Sequence, residues 1–405
     1  MSNAVMQATR VSRSADSIGV DSVLLGVFVI LLTLGLIMVF SSTIAMGNQD
    51  LSVNTSHFWR QLIHIILGLG LAFCVSKVPL WLWQESSGVL LCLAILLLGF
   101  LLVFGVEVNN SRRWFSILGV RLQPVEFVKL AIVLYGASYL TRRQAEITKF
   151  SKGIVNMGLV LAMIGGLLLL QPDFGSFVVI TATIGLMMFL GGIRIWHTLL
   201  CLALVAAIIP VIIAASPERM NRMSSFLNPW ADPFGEGFQL TQALIAVGRG
   251  EIFGVGLGAS IQKLYYLPHA HNDFILAVIG EELGLVGVLL VIGLYVTLLH
   301  RALQISRTAE LLGRVYASRL AQGIGLLLVF QAIINIGVNL GALPTKGLTL
   351  PFISYGGSSM LACCIAMGLL LGVDRQNRQR ELPAPKKIGR TTTTKNLKKS
   401  ERGGL

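Results

Sequence analysis

Charge is what this sequence lacks most: only 13% of its 405 residues are Asp, Glu, Lys or Arg, about half the share of an ordinary soluble chain. With 54% hydrophobic residues set against so little charge, water cannot be its main solvent. Cysteine is scarce as well. Cys74, Cys92, Cys201, Cys363 and Cys364 sit in apolar runs without CxxC or Cys/His spacing, which argues against a disulfide framework and a zinc site. No glycine-rich nucleotide fingerprint follows a strand pattern, so a nucleotide-activated donor has no recognisable binding loop. No internal repeat is evident either, which weakens the case for a transporter built from repeats.

What the sequence has is long apolar runs of membrane-spanning length. They predict helices at about Val23 to Phe40, Leu62 to Val78, Val89 to Val106, Val125 to Leu140 and Ile154 to Leu170. Five more follow at Phe174 to Leu190, Trp196 to Ala215, Phe274 to His300, Leu320 to Leu340 and Phe352 to Gly372. The expected fold is all-α, a polytopic membrane protein with about ten transmembrane helices. Residues 1–20 form an N-terminal tail, 21–373 the membrane domain and 374–405 a basic C-terminal tail. Arg10 and Arg13 precede the first run, which lacks a small-residue cleavage site and is expected to be retained. The longest connection, 216–272 between helices 7 and 8, mixes polar and apolar pieces and is expected to be partly helical.

The net charge of +13 is concentrated in the tail after the last run. That tail lacks aromatics for base stacking, so it marks the cytoplasmic side of a membrane and not a nucleic-acid arm. With both termini inside, most of the 32 Lys and Arg residues fall on the cytoplasmic face, as the positive-inside bias requires. Arg112, Arg113 and Arg121 are exceptions crowded into one short outer loop, where positive charge must serve a purpose.

Four polar constellations stand at the outer ends of the helices. The first is Asn110-Ser111-Arg112-Arg113-Trp114-Phe115, with Arg121, Gln123, Pro124, Glu126 and Lys129 after it. Arginines suit diphosphate oxygens, and Glu126 and Lys129 share a helix face at i, i+3. A pair neutralised inside the membrane is the competing structural reading. The second, Gln171-Pro172-Asp173-Phe174-Gly175-Ser176, is a tight turn in which Asp173 is as readily a helix cap as a ligand. The third, His269-Ala270-His271-Asn272-Asp273-Phe274, puts Asp273 at the outer mouth of helix 8, with Glu281 and Glu282 two turns deeper in structural roles. Asp273 is either an N-cap or a base reachable from outside. The two histidines are too weak a pattern for a metal site, so no metal or cofactor is assigned; a divalent-cation requirement is not legible. The fourth, Pro344 to Ser359, has Lys346 suited to phosphate, and Ser354 and Tyr355 suited to hydrogen-bonding sugar. Its prolines and glycines imply irregular backbone lining a cavity.

At these motifs the chain resembles the SEDS family (shape, elongation, division, sporulation), from about Asp21 to Asp374. The resemblance is carried by Ser111 to Trp114, Arg121 to Lys129, QPDFGS at 171–176, NPWADPFGEGFQLTQALIAVGRG at 228–250, AHNDFI at 270–275, GEELG at 280–284 and PTKGLTLPFISYGGSS at 344–359. Thr345-Lys346-Gly347 looks like the division branch and not the elongation branch. His269 departs from the glutamate common in the family. The resemblance implies ten helices and an inverting glycosyltransferase that polymerises lipid II into β-1,4-linked glycan during septal wall synthesis. It implies Asp273 as the base, with Arg112, Arg113, Trp114, Arg121, Gln123, Glu126, Lys129, Gln171, Asp173, Lys346, Ser354 and Tyr355 around the substrate. It implies as partners lipid II, the undecaprenyl-diphosphate-linked glycan, a cognate class B penicillin-binding protein, other divisome proteins and membrane lipids, with the chain in the bacterial inner membrane at the septum. A lipid II flippase and a non-catalytic division scaffold are the competing readings.

The orientation is testable by labelling. In a cysteine-free background, a cysteine at Ser111 should react with an impermeant maleimide in intact spheroplasts, and one at Thr392 only after lysis. The reverse pattern would contradict the assignment.

Overall fold

The computed structural model describes residues 19–44, 51–108, 111–117, 120–147, 151–214, 216–235, 237–264, 267–268 and 270–381. Most of both terminal tails, Asn110 and His269 lie outside the described residues.

The elements in chain order begin with α1 (Ser22–Ile44), α2 (Leu51–Lys77) and α3 (Leu80–Phe104), then strands β1 (Val106–Val108), β2 (Ser111–Ile117) and β3 (Val120–Leu122). There follow α4 (Val125–Arg142), α5 (Asn156–Leu170), α6 (Phe174–Leu190), α7 (Ile195–Ala214), α8 (Pro217–Leu227) and α9 (Phe238–Arg249). The chain ends with α10 (Ile275–Leu311), α11 (Val315–Asn339) and α12 (Gly357–Glu381). Among the described residues, seven helices are long and apolar enough to cross a membrane: α1, α2, α3, α5 taken with the helical turn before it (Gly153–Leu170), α10, α11 and α12. The three other expected spans are helical too: α4 is interrupted by Glu126 and Lys129, α6 is apolar but 17 residues long, and α7 is apolar over 20 residues with Pro210 in its interior.

The core is formed by α4, α10, α11 and α12, whose apolar residues are buried along most of their length. By contrast α3 exposes Val89, Leu93, Leu96, Phe100 and Val103. Such a face is stable only against hydrocarbon, since monomeric proteins in water do not carry apolar patches of that extent. In the outer connection 216–272, α8 and α9 bear out the partly helical expectation.

The structure departs from the sequence reading in three places. The basic outer loop is a three-stranded antiparallel sheet of order β1-β2-β3, with Arg112 opposite Glu107 and Arg121 opposite Ser116. Short strands with mixed polarity leave no clear period of two, so nothing in the sequence announced them. The last helix does not stop at residue 373. It runs to Glu381 because Asp374 is buried, accepting the Asp21 amide at 2.7 Å and Arg378 Nε at 3.0 Å. Arg301 pairs with Asp21 and so joins the same cluster, which ties the start of α1 to α10 and α12.

Helix α10 is the third departure, because it breaks at Gly284 (φ 66°, ψ −162°). A broken helix inside a membrane must have its freed backbone groups paired. Here the 251–256 loop pairs them: Val255 and Gly256 donate to the Glu281 and Glu282 carbonyls at 3.0 and 3.1 Å, and Leu285 and Val286 donate to the Glu251 and Ile252 carbonyls at 2.9 and 3.2 Å. A Cβ on Gly284 would lie 2.4 Å from the Gly254 nitrogen. Gly284→Ala should therefore cost at least about 2 kcal/mol through the disallowed backbone and the clash together. Thermal unfolding in detergent reads this; an unchanged midpoint would contradict the splice.

Candidate active site

The segment leading into α10 is held from two sides by side chains. On one side, Asn335 and Asn339 of α11 donate to the Asp273 carbonyl at 2.8 and 2.9 Å, and Asn339 Oδ1 accepts the Ala277 amide at 3.0 Å. Asn335 also donates to the Leu348 carbonyl at 2.6 Å, which ties in the loop before α12. On the other side, Ser354 Oγ donates to the Asn272 carbonyl at 2.6 Å while accepting the Leu350 amide at 2.8 Å. The Tyr355 amide donates to the His271 carbonyl at 2.9 Å. These bonds join the AHNDFI and PTKGLTLPFISYGGSS motifs into one piece.

The side chain of Asp273 is half-buried, and it does not cap the helix: the N-cap position is Phe274, with no side-chain cap bond. Its Oδ2 lies against Gly347, where an added Cβ would sit 2.9 Å away. Gly347 gives the carboxylate room for this approach, and Lys346 stands one residue before it.

Lys346 leads on to the cationic loop. Its Nζ lies 5.4 Å from the Phe174 ring centroid. Phe174 follows Asp173, whose buried carboxylate caps α6 by accepting the Ser176 amide at 3.2 Å. Arg113 donates to the Gln171 carbonyl at 3.1 Å and the Pro172 carbonyl at 2.5 Å, fixing strand β2 to this turn. Gln171 is itself buried and donates to the Leu98 carbonyl at 2.9 Å. Arg112 is exposed, 3.4 Å from Glu107, and Arg121 is exposed on β3. Trp114 is half-buried on β2 opposite Val106. Sheet, turn, Lys346 and Asp273 thus form one connected outer shelf.

Other expected site residues work inside the protein. Lys129 and Glu126, 1% and 5% exposed, pair at 2.8 Å, and Lys129 also donates to Gln331 at 2.7 Å. Gln331 continues to Thr349 at 3.0 and 3.1 Å, and Thr349 to Ser359 at 2.7 Å. The Gln123 amide donates to Ser358 at 2.9 Å. These groups, like Asp173, Gln171 and Ser354, position the shelf from below. No group of three or more His, Cys, Asp or Glu placed for a metal occurs among the described residues.

The acids of GEELG do not satisfy each other's neighbours in common. Glu281 takes Arg249 at 2.7 Å, Ser260 Oγ and the Ile261 amide at 3.0 Å. Glu282 takes Lys263 at 2.7 Å and Ser41 at 2.7 Å. Arg249, Lys263 and Ser41 escaped the sequence reading because their partners are far along the chain. Gln331, Asn335 and Asn339 escaped it too, although amides at i, i+4 and i+8 in an apolar span are a readable stripe on one helix face.

The fold and this shelf define a multi-pass membrane protein in which several basic side chains, Arg112, Arg113, Arg121 and Lys346, stand near the Asp273 carboxylate. The chain belongs to the FtsW/RodA/SpoVE family, described as "Cell cycle protein", whose family model matches residues 21–379. It is 50% identical over 360 residues to a protein of Nitrosococcus halophilus named "Probable peptidoglycan glycosyltransferase FtsW", covering 88% of this chain and 93% of that one. A protein of the same name from Coxiella burnetii is 50% identical over 345 residues, covering 85% of this chain and 93% of that one. Among solved structures, one described as "Structural coordination of polymerization and crosslinking by a peptidoglycan synthase complex" matches with TM-score 0.73 and 29% identity, over 89% of this chain and 99% of the other. The rod shape determining protein RodA of Thermus thermophilus matches with TM-score 0.65 and 27% identity, over 89% and 99%.

Removing one partner of a buried pair strands the other charge, at a cost of about 3–5 kcal/mol. Lys129→Met should accordingly lower the thermal midpoint sharply, and adding Glu126→Gln should restore much of it. Equal instability in the single and double variants would contradict an internal role for the pair.

Proposed function

We propose that this chain is a peptidoglycan glycosyltransferase that polymerises lipid II into β-1,4-linked glycan on the outer face of the bacterial inner membrane. The observation that carries this is the half-buried Asp273 carboxylate, its backbone fixed on both sides, next to Lys346 on a shelf that continues to Arg112 and Arg121. The names of the relatives support the same activity.

The chemistry balances with these groups. The acceptor sugar's hydroxyl oxygen attacks C1 of the donor sugar from the face opposite the diphosphate. As the new C–O bond forms, the proton passes to the Asp273 carboxylate and the C1–O bond to diphosphate breaks. The leaving polyprenyl diphosphate carries the departing electron pair, and Arg112, Arg121 and Lys346 stabilise its charge. Inversion at C1 follows from a single displacement. Arg113, Gln171 and Asp173 hold the turn that sets Lys346 in place.

In this reading the chain crosses the membrane ten times, has both termini in the cytoplasm and works at the division septum. Its partner is a class B penicillin-binding protein that crosslinks the strands, together with other division proteins. The relative described as coordinating polymerization and crosslinking supports such a pairing.

The test is polymerisation of purified lipid II by the protein with its partner. Asp273→Ala and Asp273→Asn should lower the rate by at least about 10²-fold, the loss expected for a general base, with elution volume and thermal midpoint retained. Polymerisation at the parent rate would reject Asp273 as the base. Transbilayer movement of lipid II without polymer would favour a flippase.

A further inference from the structure

Against the residues that precede Asp273 lies a second group of polar residues that the mechanism above does not use. Helix α2 presents His57, Gln61 and His64 at i, i+4 and i+7 on one face, with Arg60 exposed beside them and a largely apolar stretch after His64. That face meets the loop before α12. Gln61, 0% exposed, donates through Nε2 to the Ser354 carbonyl at 3.3 Å. The His57 ring stands 5.1 Å from the Tyr355 ring and 5.4 Å from the His271 ring, and those two are 5.6 Å apart. Ser354 and Tyr355 are the residues that hold Asn272 and His271 by their carbonyls. The α2 stripe is therefore joined directly to the residues preceding Asp273.

Several polar atoms in this group are buried and unpartnered. Gln61 Oε1, His57 Nδ1, His64 Nδ1 and Asn272 Oδ1 have no hydrogen-bond partner among the described residues. Native proteins rarely leave buried polar atoms unpaired, since each costs on the order of 1–3 kcal/mol. Inside a membrane protein such a cluster requires a polar guest. Its members are neutral amides and imidazoles, with the exposed Arg60 guanidinium beside them on the same helix. Neutral groups that both donate and accept match hydroxyls and carboxamides, not phosphate.

We infer that His57, Gln61 and Asn272 form a subsite for the hydroxyl or acetamido groups of the acceptor sugar, placing its nucleophilic oxygen at Asp273. The inference rests on the glycosyltransferase reading and divides the site into a diphosphate side and a sugar side. His57, Gln61 and Asn272 act by positioning, and the proton still passes to Asp273.

The test measures binding separately from turnover. Fluorescent lipid II is titrated into nanodiscs holding the full chain with Asp273→Asn, alone and combined with His57→Phe, Gln61→Met or His57→Asn. Losing one neutral hydrogen bond weakens binding by about five- to tenfold. His57→Phe and Gln61→Met should each show that loss with thermal midpoints within a few degrees of the parent. His57→Asn, which keeps a donor and an acceptor, should bind within about twofold of the parent. Unchanged affinity in both His57→Phe and Gln61→Met would overturn the subsite and leave water as the occupant. Equal loss in His57→Asn and His57→Phe would overturn it in favour of packing. Because the readout is binding, it separates this inference from the assignment of Asp273, which fails only if Asp273→Asn polymerises at the parent rate.

Discussion

The site depends on how the half-buried backbone of residues 271–273 is held by side chains of two other segments. A turn at the head of a membrane helix exposes carbonyls that must find donors within the protein. Two amides of α11, Asn335 and Asn339, and one serine of the following loop, Ser354, supply them. These donors take the carbonyls, and Asp273 Oδ2 lies against Gly347. With its main chain fixed and its carboxylate half-buried, Asp273 stands in a set position, as a base requires.

The same economy governs the charges. Three buried glutamates each have a cation: Glu126 with Lys129, Glu281 with Arg249, Glu282 with Lys263. Charges at membrane depth are costly unless paired, and each of these pairs also ties elements that are distant in sequence. Glu282 and Lys263 reach Ser41 of α1, while Lys129 reaches Gln331 of α11. The kink at Gly284 belongs to this arrangement, since it lets the 251–256 loop dock its backbone onto α10. The rigid lower layer thus built supports the outer shelf with its exposed Arg112 and Arg121.

Much of this was legible in the sequence. The apolar runs located all the long helices within a few residues at most ends, because hydrocarbon thickness imposes a length that composition reveals. The prolines and glycines of 344–359 correctly marked irregular backbone, which α12 leaves behind only at Gly357. What stayed hidden depends on long-range pairing. The three short strands carry no periodic signal, and the extension of α12 past Asp374 rests on Asp21 at the other end of the chain. Which polar residues face a ligand and which brace the site was equally unreadable: Lys129 and Lys346 look alike in sequence, yet one is buried in an ion pair and the other lies beside Gly347.

The proposed labour is divided around one carboxylate: cations for the departing diphosphate, locked backbone beneath it, and the polar stripe of α2 for the acceptor sugar. The most direct measurement is a structure of the Asp273→Asn protein with its partner and an acceptor glycan bound. The account predicts the acceptor hydroxyl within about 2.6–3.2 Å of the side chain at position 273, with the diphosphate toward Arg112, Arg121 and Lys346. A sugar seated well beyond hydrogen-bond reach of that side chain, or a diphosphate on the His57 face, would contradict it.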